Sequence, residues 1–169
     1  MSHNYLLFEA FDESIYIKAY YDTNSLGFVV IHKTHGLNEL EGNKTIAILL
    51  AKLGFRVVLQ PNMPDIPTPD ASINEEIWEF KTISQAINLS NTVQRDLKKG
   101  KRQSSKILIC IAQSYKIPEI TKGIYNAVKF DEGELIQEIA ILFQNGRLIF
   151  IKRIEVLDKS FTDKFLLSK

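Results

Sequence analysis

The sequence predicts a mixed α/β domain in which helices flank a central mixed sheet. Three segments support this fold class. The segment "NELEGNKTIAILLAKLGF" spaces its apolar residues along one helix face, "ILICIA" (107–112) is typical of a covered strand, and Asn145-Gly146 separates two β-rich runs as a tight hairpin does. At 169 residues, with 45% hydrophobic and 24% charged residues, the chain is long enough to bury one core. We therefore predict a single domain over residues 1–169.

The first half of the chain is predicted to alternate strands and helix. "SIYIKAYY" (14–21) and "LGFVVIHKT" (26–34) form an N-terminal hairpin, since "DTNS" between them consists of turn formers. A helix begins near Asn38 and ends before Gly54, a residue type favoured just past a helix end. A strand at 56–61 follows, and the proline-rich loop 61–69 leads into a second hairpin.

The second half begins with a polar, partly helical stretch from Asn88 to Lys106, in which Gly100 predicts a bend or a break. The apolar strand 107–112 comes next, and the Asn145-Gly146 hairpin either extends the sheet or stands alone. The domain is thus expected to have a β-rich extension at 1–37, a core at 38–112 and a C-terminal extension with a hairpin at 113–169.

Composition excludes several classes of protein. Lys and Arg total 21 against 20 Asp and Glu, so the formal net charge of +1 gives no global attraction to nucleic acid or membrane. The single cysteine, Cys110, lies in an apolar run and is expected to be buried and inert. The N-terminus lacks a basic signal-peptide region, and no apolar run reaches the roughly 20 residues of a membrane span.

The hairpin "PDASINEEIWEFK" (69–81) carries charges of both signs beside apolar residues. If Asn74-Glu75 is a two-residue turn, Asp70 faces Glu79, and alternation places Asp70, Glu79 and Lys81 together, directed to solvent or a cleft. Opposed carboxylates repel, so either Lys81 or a divalent cation is expected to compensate. A three-residue turn would shift the pairing by one, and an ordinary solvated hairpin face also fits the pattern.

Pro69-Asp70 followed by Glu79-Phe80-Lys81 resembles the signature of the PD-(D/E)xK nuclease superfamily, whose fold is a restriction-endonuclease-like core. The order of the helix from Asn38, this hairpin and "KKGKRQSSKILICIA" is similar to that of the nuclease domains of contact-dependent growth inhibition toxins, several of which cleave tRNA. The resemblance covers about residues 38–112. One departure is the hairpin tip, Asn74-Glu75, where such domains commonly have Asn-Gly.

The resemblance implies roles for the hairpin residues. Asp70 and Glu79 would bind a divalent metal, Mg²⁺ or Mn²⁺ with Zn²⁺ as an alternative, and the backbone carbonyl of Phe80 would be a third ligand. Lys81 would orient the attacking water and stabilise negative charge. A helix glutamate often completes such sites, and this chain offers Glu39 and Glu41. Glu39 is preferred, because it shares the apolar helix face and is expected to point toward the sheet.

The stretch "RDLKKGKRQSSK" (95–106) holds six Lys or Arg against one Asp, a local charge of +5. Such a basic run has two interpretations: it binds a phosphate backbone, or it is an ordinary solvent-exposed helix face. Related nucleases place a glutamine and a basic residue on the helix after the Glu-x-Lys strand. The nucleic-acid-binding candidates are Lys98, Lys99, Lys101, Arg102, Gln103 and Lys106.

The histidines are given smaller roles. His32 and His35 in "HKTHG" lack a third ligand in view, so a surface or hydrogen-bonding role is expected. His3 is expected to lie in a frayed terminus.

The residues and the resemblance together predict a metal-dependent endonuclease. The leading hypothesis is a tRNase-like toxin domain. A DNA endonuclease of the same fold and a nonenzymatic protein-binding module are the alternatives. By resemblance, the domain would be delivered as part of a larger secreted toxin, act in the cytoplasm of the cell it enters, and be bound by an immunity protein covering the acidic hairpin.

Overall fold

The structure, a computed structural model, describes residues 2–166 of the chain. It divides into two compact units, Met1–Trp78 and Glu79–Lys169. The division falls inside one strand and not at the predicted bounds of the extensions. The assignment of residues 1–169 to a single nuclease domain stays a prediction.

The first unit contains two helices and four complete strands. In chain order they are α1 (His3–Glu9), β1 (Tyr16–Tyr21), β2 (Phe28–His32), α2 (Leu37–Lys52), β3 (Arg56–Leu59) and β4 (Ala71–Ile73). The next strand, β5 (Glu76–Ile83), begins in this unit and continues in the second.

The second unit contains the remaining helices and strands. They are α3 (Leu89–Gly100), β6 (Lys106–Ile111), α4 (Ile117–Lys129), β7 (Glu138–Phe143), β8 (Leu148–Lys152), α5 (Arg153–Leu157) and α6 (Phe161–Lys164). Gly100 is the last residue of α3, so the predicted break in the basic helix is confirmed.

The strands form a mixed sheet in the order β1 to β8. Strands β2 and β3 pair in parallel, as do β5, β6 and β7, and the other neighbours are antiparallel. The predicted α/β class with a mixed sheet and helices is confirmed. The C-terminal hairpin extends the sheet, because β7 pairs with β6.

Helix α2 forms because its apolar residues repeat at helical spacing. Its buried residues are Asn43, Ile46, Ala47, Leu50 and Ala51, which follow one stripe along the helix. The chain leaves the helix at Leu53, and Gly54 adopts a positive φ of 93°, as predicted for the residue after a helix end.

In the second unit, α3 and α4 pack with one face of the sheet. Val93 and Leu97 of α3 share a buried cluster with Ile124 of α4 and with Ile107 and Ile109 of β6.

The two helices approach closely at Gly123. A Cβ there would lie 2.6 Å from the Ser90 carbonyl oxygen and 2.8 Å from the Val93 Cβ. Only glycine therefore permits this packing.

Four helices of the described residues were not predicted from the sequence, namely α1, α4, α5 and α6. His3 begins α1, so its placement in a frayed terminus is wrong. The helix is held by its side chains, since Phe8 packs with Phe28 and Val30. Helix α4 was also missed.

Cys110 is buried, and burial raises the pKa of its thiol, which agrees with the inert role expected for it.

Candidate active site

The hairpin of β4 and β5 has the predicted register. Ala71 pairs with Trp78 and Ser72 with Ile77, which requires a two-residue turn at Asn74-Glu75. Both turn residues have positive φ, 48° and 75°, as a type I′ turn demands. The pairing of Asp70 with Glu79 joins residues of different units and stays a prediction.

Asp70 lies just before β4 and is 6% exposed. Its carbonyl oxygen accepts a hydrogen bond from the Gln60 amide at 2.9 Å, and its Oδ1 accepts one from Asn43 Nδ2, also at 2.9 Å. The loop between β3 and β4 and helix α2 therefore fix both the backbone and the carboxylate of Asp70.

Asn43 also joins Asp70 to His35. Asn43 Nδ2 lies 3.2 Å from His35 Nε2, and His35 Nδ1 lies 2.7 Å from the Gln60 carbonyl oxygen. Because that carbonyl can only accept, Nδ1 carries the proton and Nε2 accepts from Asn43. Both hydrogens of the Asn43 amide are thus used, and the hydrogen-bonding role expected for His35 is confirmed.

The structure corrects the expectation for the helix glutamates. Glu39 and Glu41 are both exposed. Glu39 lies one turn before Asn43, where the helix has just begun, and so does not point into the core as expected. The residue of α2 that contacts Asp70 is Asn43, which sequence reasoning missed. Its position on the buried stripe with Ile46 and Ala47 was the available signal.

Glu79 and Lys81 lie on β5 and form an ion pair. Lys81 Nζ donates to Glu79 Oε1, and the Glu79 side chain is only 1% exposed while that of Lys81 is 25% exposed. Trp78 and Phe80 are buried as well. Of the two directions expected for Glu79, open solvent is therefore wrong, and a cleft stays a prediction.

The basic segment separates into two classes of residue. Lys98, Lys99 and Arg102 are exposed. Lys101 Nζ lies 2.7 Å from Asp131 Oδ1, and Lys106 Nζ lies 3.1 Å from Glu138 Oε2. The side chains of the first three residues face solvent, and their role in nucleic-acid binding stays a prediction, whereas the two paired lysines neutralise acids of the protein.

Gln103 and Lys106 do not lie on the helix after β5, contrary to the pattern of related nucleases. Helix α3 ends at Gly100, Gln103 follows in a turn, and Lys106 begins β6. Their role in nucleic-acid binding stays a prediction.

Within residues 2–166, no group of three or more His, Cys, Asp or Glu side chains is arranged to hold a metal ion. The predicted ligand set contains two carboxylates and a backbone carbonyl, so it does not depend on such a group. No helix in this part of the chain is long and apolar enough to cross a bilayer.

Comparison with known families gives one match to a family model. Residues 67–148 match the contact-dependent growth inhibition CdiA C-terminal domain. This segment is just under half of the chain and includes the β4–β5 hairpin, α3, β6, α4 and β7. Asp70, Glu79, Lys81 and the basic segment all lie inside it.

A solved structure is also similar to the chain. It is described as a CdiA-CT/CdiI toxin and immunity complex from Burkholderia pseudomallei, with 19% sequence identity and a TM-score of 0.49. The match covers 68% of this chain and 85% of that one. No curated protein matches the chain.

Proposed function

We propose that this chain is the toxin domain of a contact-dependent growth inhibition system and that it is a metal-dependent endonuclease acting on tRNA. The observation that carries the proposal is the Glu79–Lys81 pair on β5, within the segment that matches the CdiA C-terminal domain. A buried carboxylate beside a partly exposed ammonium fits the acid and lysine of a PD-(D/E)xK site.

Asp70, Glu79 and the Phe80 carbonyl are the groups that would hold a divalent cation. Their oxygens are the donors that Mg²⁺ and Mn²⁺ prefer, and Mg²⁺ needs few protein ligands because it keeps several waters. When bound, the cation would supply Lewis-acid activation of water and neutralise phosphate charge. The donor chemistry therefore fits the proposed cofactor.

Lys81 would stabilise the attacked phosphate in the proposed reaction. Its ammonium donates to Glu79, which holds the Lys81 side chain in place, and 25% of the side chain remains exposed. In this position Lys81 would donate a hydrogen bond to the attacked phosphate and stabilise the negative charge that builds there. Asn43 would keep the Asp70 carboxylate in one orientation.

The exposed residues Lys98, Lys99 and Arg102 would bind the RNA backbone, with an affinity that falls as salt rises. The family resemblance also supports delivery within a larger secreted toxin, action in the cytoplasm of the entered cell, and neutralisation by an immunity protein.

The test is cleavage of total tRNA and of duplex DNA, offered side by side with Mg²⁺, with Mn²⁺ or with EDTA. We expect metal-dependent cleavage of tRNA and its loss in Lys81→Met, with Lys116→Met as a matched control outside the site. Cleavage of DNA alone would favour a DNA endonuclease. No metal-dependent cleavage of either substrate would contradict the proposal and favour a protein-binding module.

A further inference from the structure

A cavity of about 630 Å³, lined by both polar and apolar residues, lies in the second unit between the segment after β5 and helix α3. This volume is within the range of small-ligand sites. Its polar lining comes from Ser84, Gln85, Asn88, Asn91, Thr92 and Arg95. Most of these residues are exposed, so the cavity is open to ligands.

The cavity adjoins the proposed catalytic strand. Thr82, which directly follows Lys81 on β5, is one of its lining residues. Strands β5 and β6 run parallel, so the cavity lies at their carboxyl ends, where open α/β sheets bind ligands. A molecule bound here would contact Thr82 and Ile83, the two residues that follow Lys81 on β5.

The wall of the cavity is held in place by hydrogen bonds. Gln113, just after β6, accepts from the Ala86 amide at 2.6 Å and donates to the Ala86 carbonyl at 3.3 Å. Asn88 accepts from the Asn91 amide at 3.0 Å and caps α3. The cavity is therefore formed without a ligand.

Arg95 is the cation of the cavity, and it is oriented by a neighbour. Its Nε donates to Asp96 Oδ1 at 2.9 Å, and the Asp96 side chain is 12% exposed while that of Arg95 is 58% exposed. The hydrogen bond to this largely buried carboxylate restrains the guanidinium plane. A fixed guanidinium suits bidentate binding of a phosphate.

We propose that this cavity is a nucleotide subsite in which Arg95, held by Asp96, binds a phosphate and the neighbouring amide side chains bind the base. Side-chain amides such as Gln85 and Asn91 offer both donors and acceptors, as recognition of an unpaired base requires. The inference rests on the proposed function, since the nucleotide would belong to the RNA that Lys81 acts on.

The subsite is tested by binding, without cleavage. Wild-type protein in EDTA is titrated with the four nucleoside 5′-monophosphates and with inorganic phosphate, by calorimetry or by NMR shifts. We expect at least one nucleotide to bind about tenfold more tightly than phosphate. Arg95→Ala should weaken that binding about tenfold, and Asp96→Asn should weaken it less. Lys52→Ala, which removes one exposed positive charge on α2 outside the cavity lining, should bind as wild type does.

The outcomes separate the subsite from the proposed function. Nucleotide binding that depends on Arg95, without tRNA cleavage, would support the subsite and contradict the nuclease. Cleavage with an unchanged KM in Arg95→Ala would support the nuclease and overturn the subsite. Binding of phosphate as tight as that of every nucleotide, unchanged binding in Arg95→Ala, or no binding would also overturn it. Arg95 is largely exposed, so its variants are expected to fold, and thermal melting checks this.

Discussion

Asn43 connects helix α2 to the acid that opens the β4–β5 hairpin. Asn43 Nδ2 donates one hydrogen to Asp70 Oδ1, 2.9 Å away, and the other to His35 Nε2, 3.2 Å away. All three residues are between 6% and 7% exposed, so water cannot readily replace a lost donor. The amide is thus suited to this position in a way that a carboxylate is not.

Replacing Asn43 is expected to reduce stability. Asn43→Ala should lower the free energy of unfolding by about 2 kcal/mol, because two buried acceptors lose a donor. Asn43→Asp should cost more, since it places a second carboxylate beside Asp70. Asn38→Ala, an exposed site on the same helix, is the control and should change stability by less than about 0.5 kcal/mol. Urea unfolding measures all three, and equal effects at positions 38 and 43 would refute this role of Asn43.

The Glu79–Lys81 pair is expected to behave as a unit in unfolding experiments. Lys81→Met should cost about 3 kcal/mol, because it leaves a buried carboxylate without its ammonium partner. The double variant Glu79→Gln, Lys81→Met removes both charges and should recover most of that loss. A double-mutant cycle in metal-free buffer measures the coupling. Strictly additive effects would mean that the ion pair contributes nothing to stability.

At the scale of single residues, the sequence identified candidate site residues but not how deeply their side chains are buried. Asp70, Glu79 and Lys81 were found from strand alternation and from a resemblance. Alternation alone could not show that the Glu79 side chain is almost fully buried. The preference for Glu39 over Glu41 assumed that Glu39 points toward the sheet, but both side chains are exposed, because helical spacing shows which face a residue lies on and not how deeply it is buried.

At the scale of elements, the β4–β5 turn carries local strain. Glu75 has a φ of 75°, a conformation that costs an L-residue roughly 1 kcal/mol relative to glycine. Asn74 tolerates its position better, and its Oδ1 accepts from the Arg56 amide at 3.0 Å. The turn was predictable because the two flanking strands fix the register, even without the usual glycine.

Glu75→Gly should therefore raise the free energy of unfolding by about 1 kcal/mol. The lost contact with Arg56, 3.3 Å away, offsets little of this gain, since the Glu75 side chain is 85% exposed. Glu75→Ala is the matched control, because it removes the same carboxylate but keeps a Cβ at positive φ. If Glu75→Ala stabilises the protein as much as Glu75→Gly, removal of charge is the cause and not relief of strain.

Helix α4 shows which elements were within reach of sequence reasoning. Ile120, Ile124, Ala127 and Val128 are buried at helical spacing, and Pro118 lies in the first turn, so the signal was present and was overlooked. Helix α1 differs, because its seven residues include only one buried side chain, Phe8. A segment this short is helical through tertiary packing, which local pattern does not reveal.

At the scale of the molecule, one buried acid ties together several elements of the second unit. Asp131, just after α4, has a side chain with no exposed surface. It accepts from Lys101 at 2.7 Å, from Arg153 at 2.8 Å and from the Ile136 amide at 2.8 Å. The ends of α3 and α4, the segment before β7 and the start of α5 thus meet at one carboxylate.

This network should make the stability of the second unit depend on pH. Burial raises the pKa of Asp131, but the hydrogen bonds from Lys101, the Ile136 amide and Arg153 outweigh it, so the pKa lies below the ordinary value of 3.8. A lowered pKa in the folded state gives stability that is present above the unfolded pKa and is lost as pH falls through the folded one. Asp131→Asn should therefore cost about 3 kcal/mol near neutral pH, where two partly buried cations lose their counter-charge. The difference between wild type and Asp131→Asn should shrink below about pH 4, and urea unfolding at several pH values measures it. Other carboxylates titrate equally in both proteins and cancel in this comparison, so a difference that stays constant down to about pH 2 would show that the Asp131 charge does not stabilise the fold.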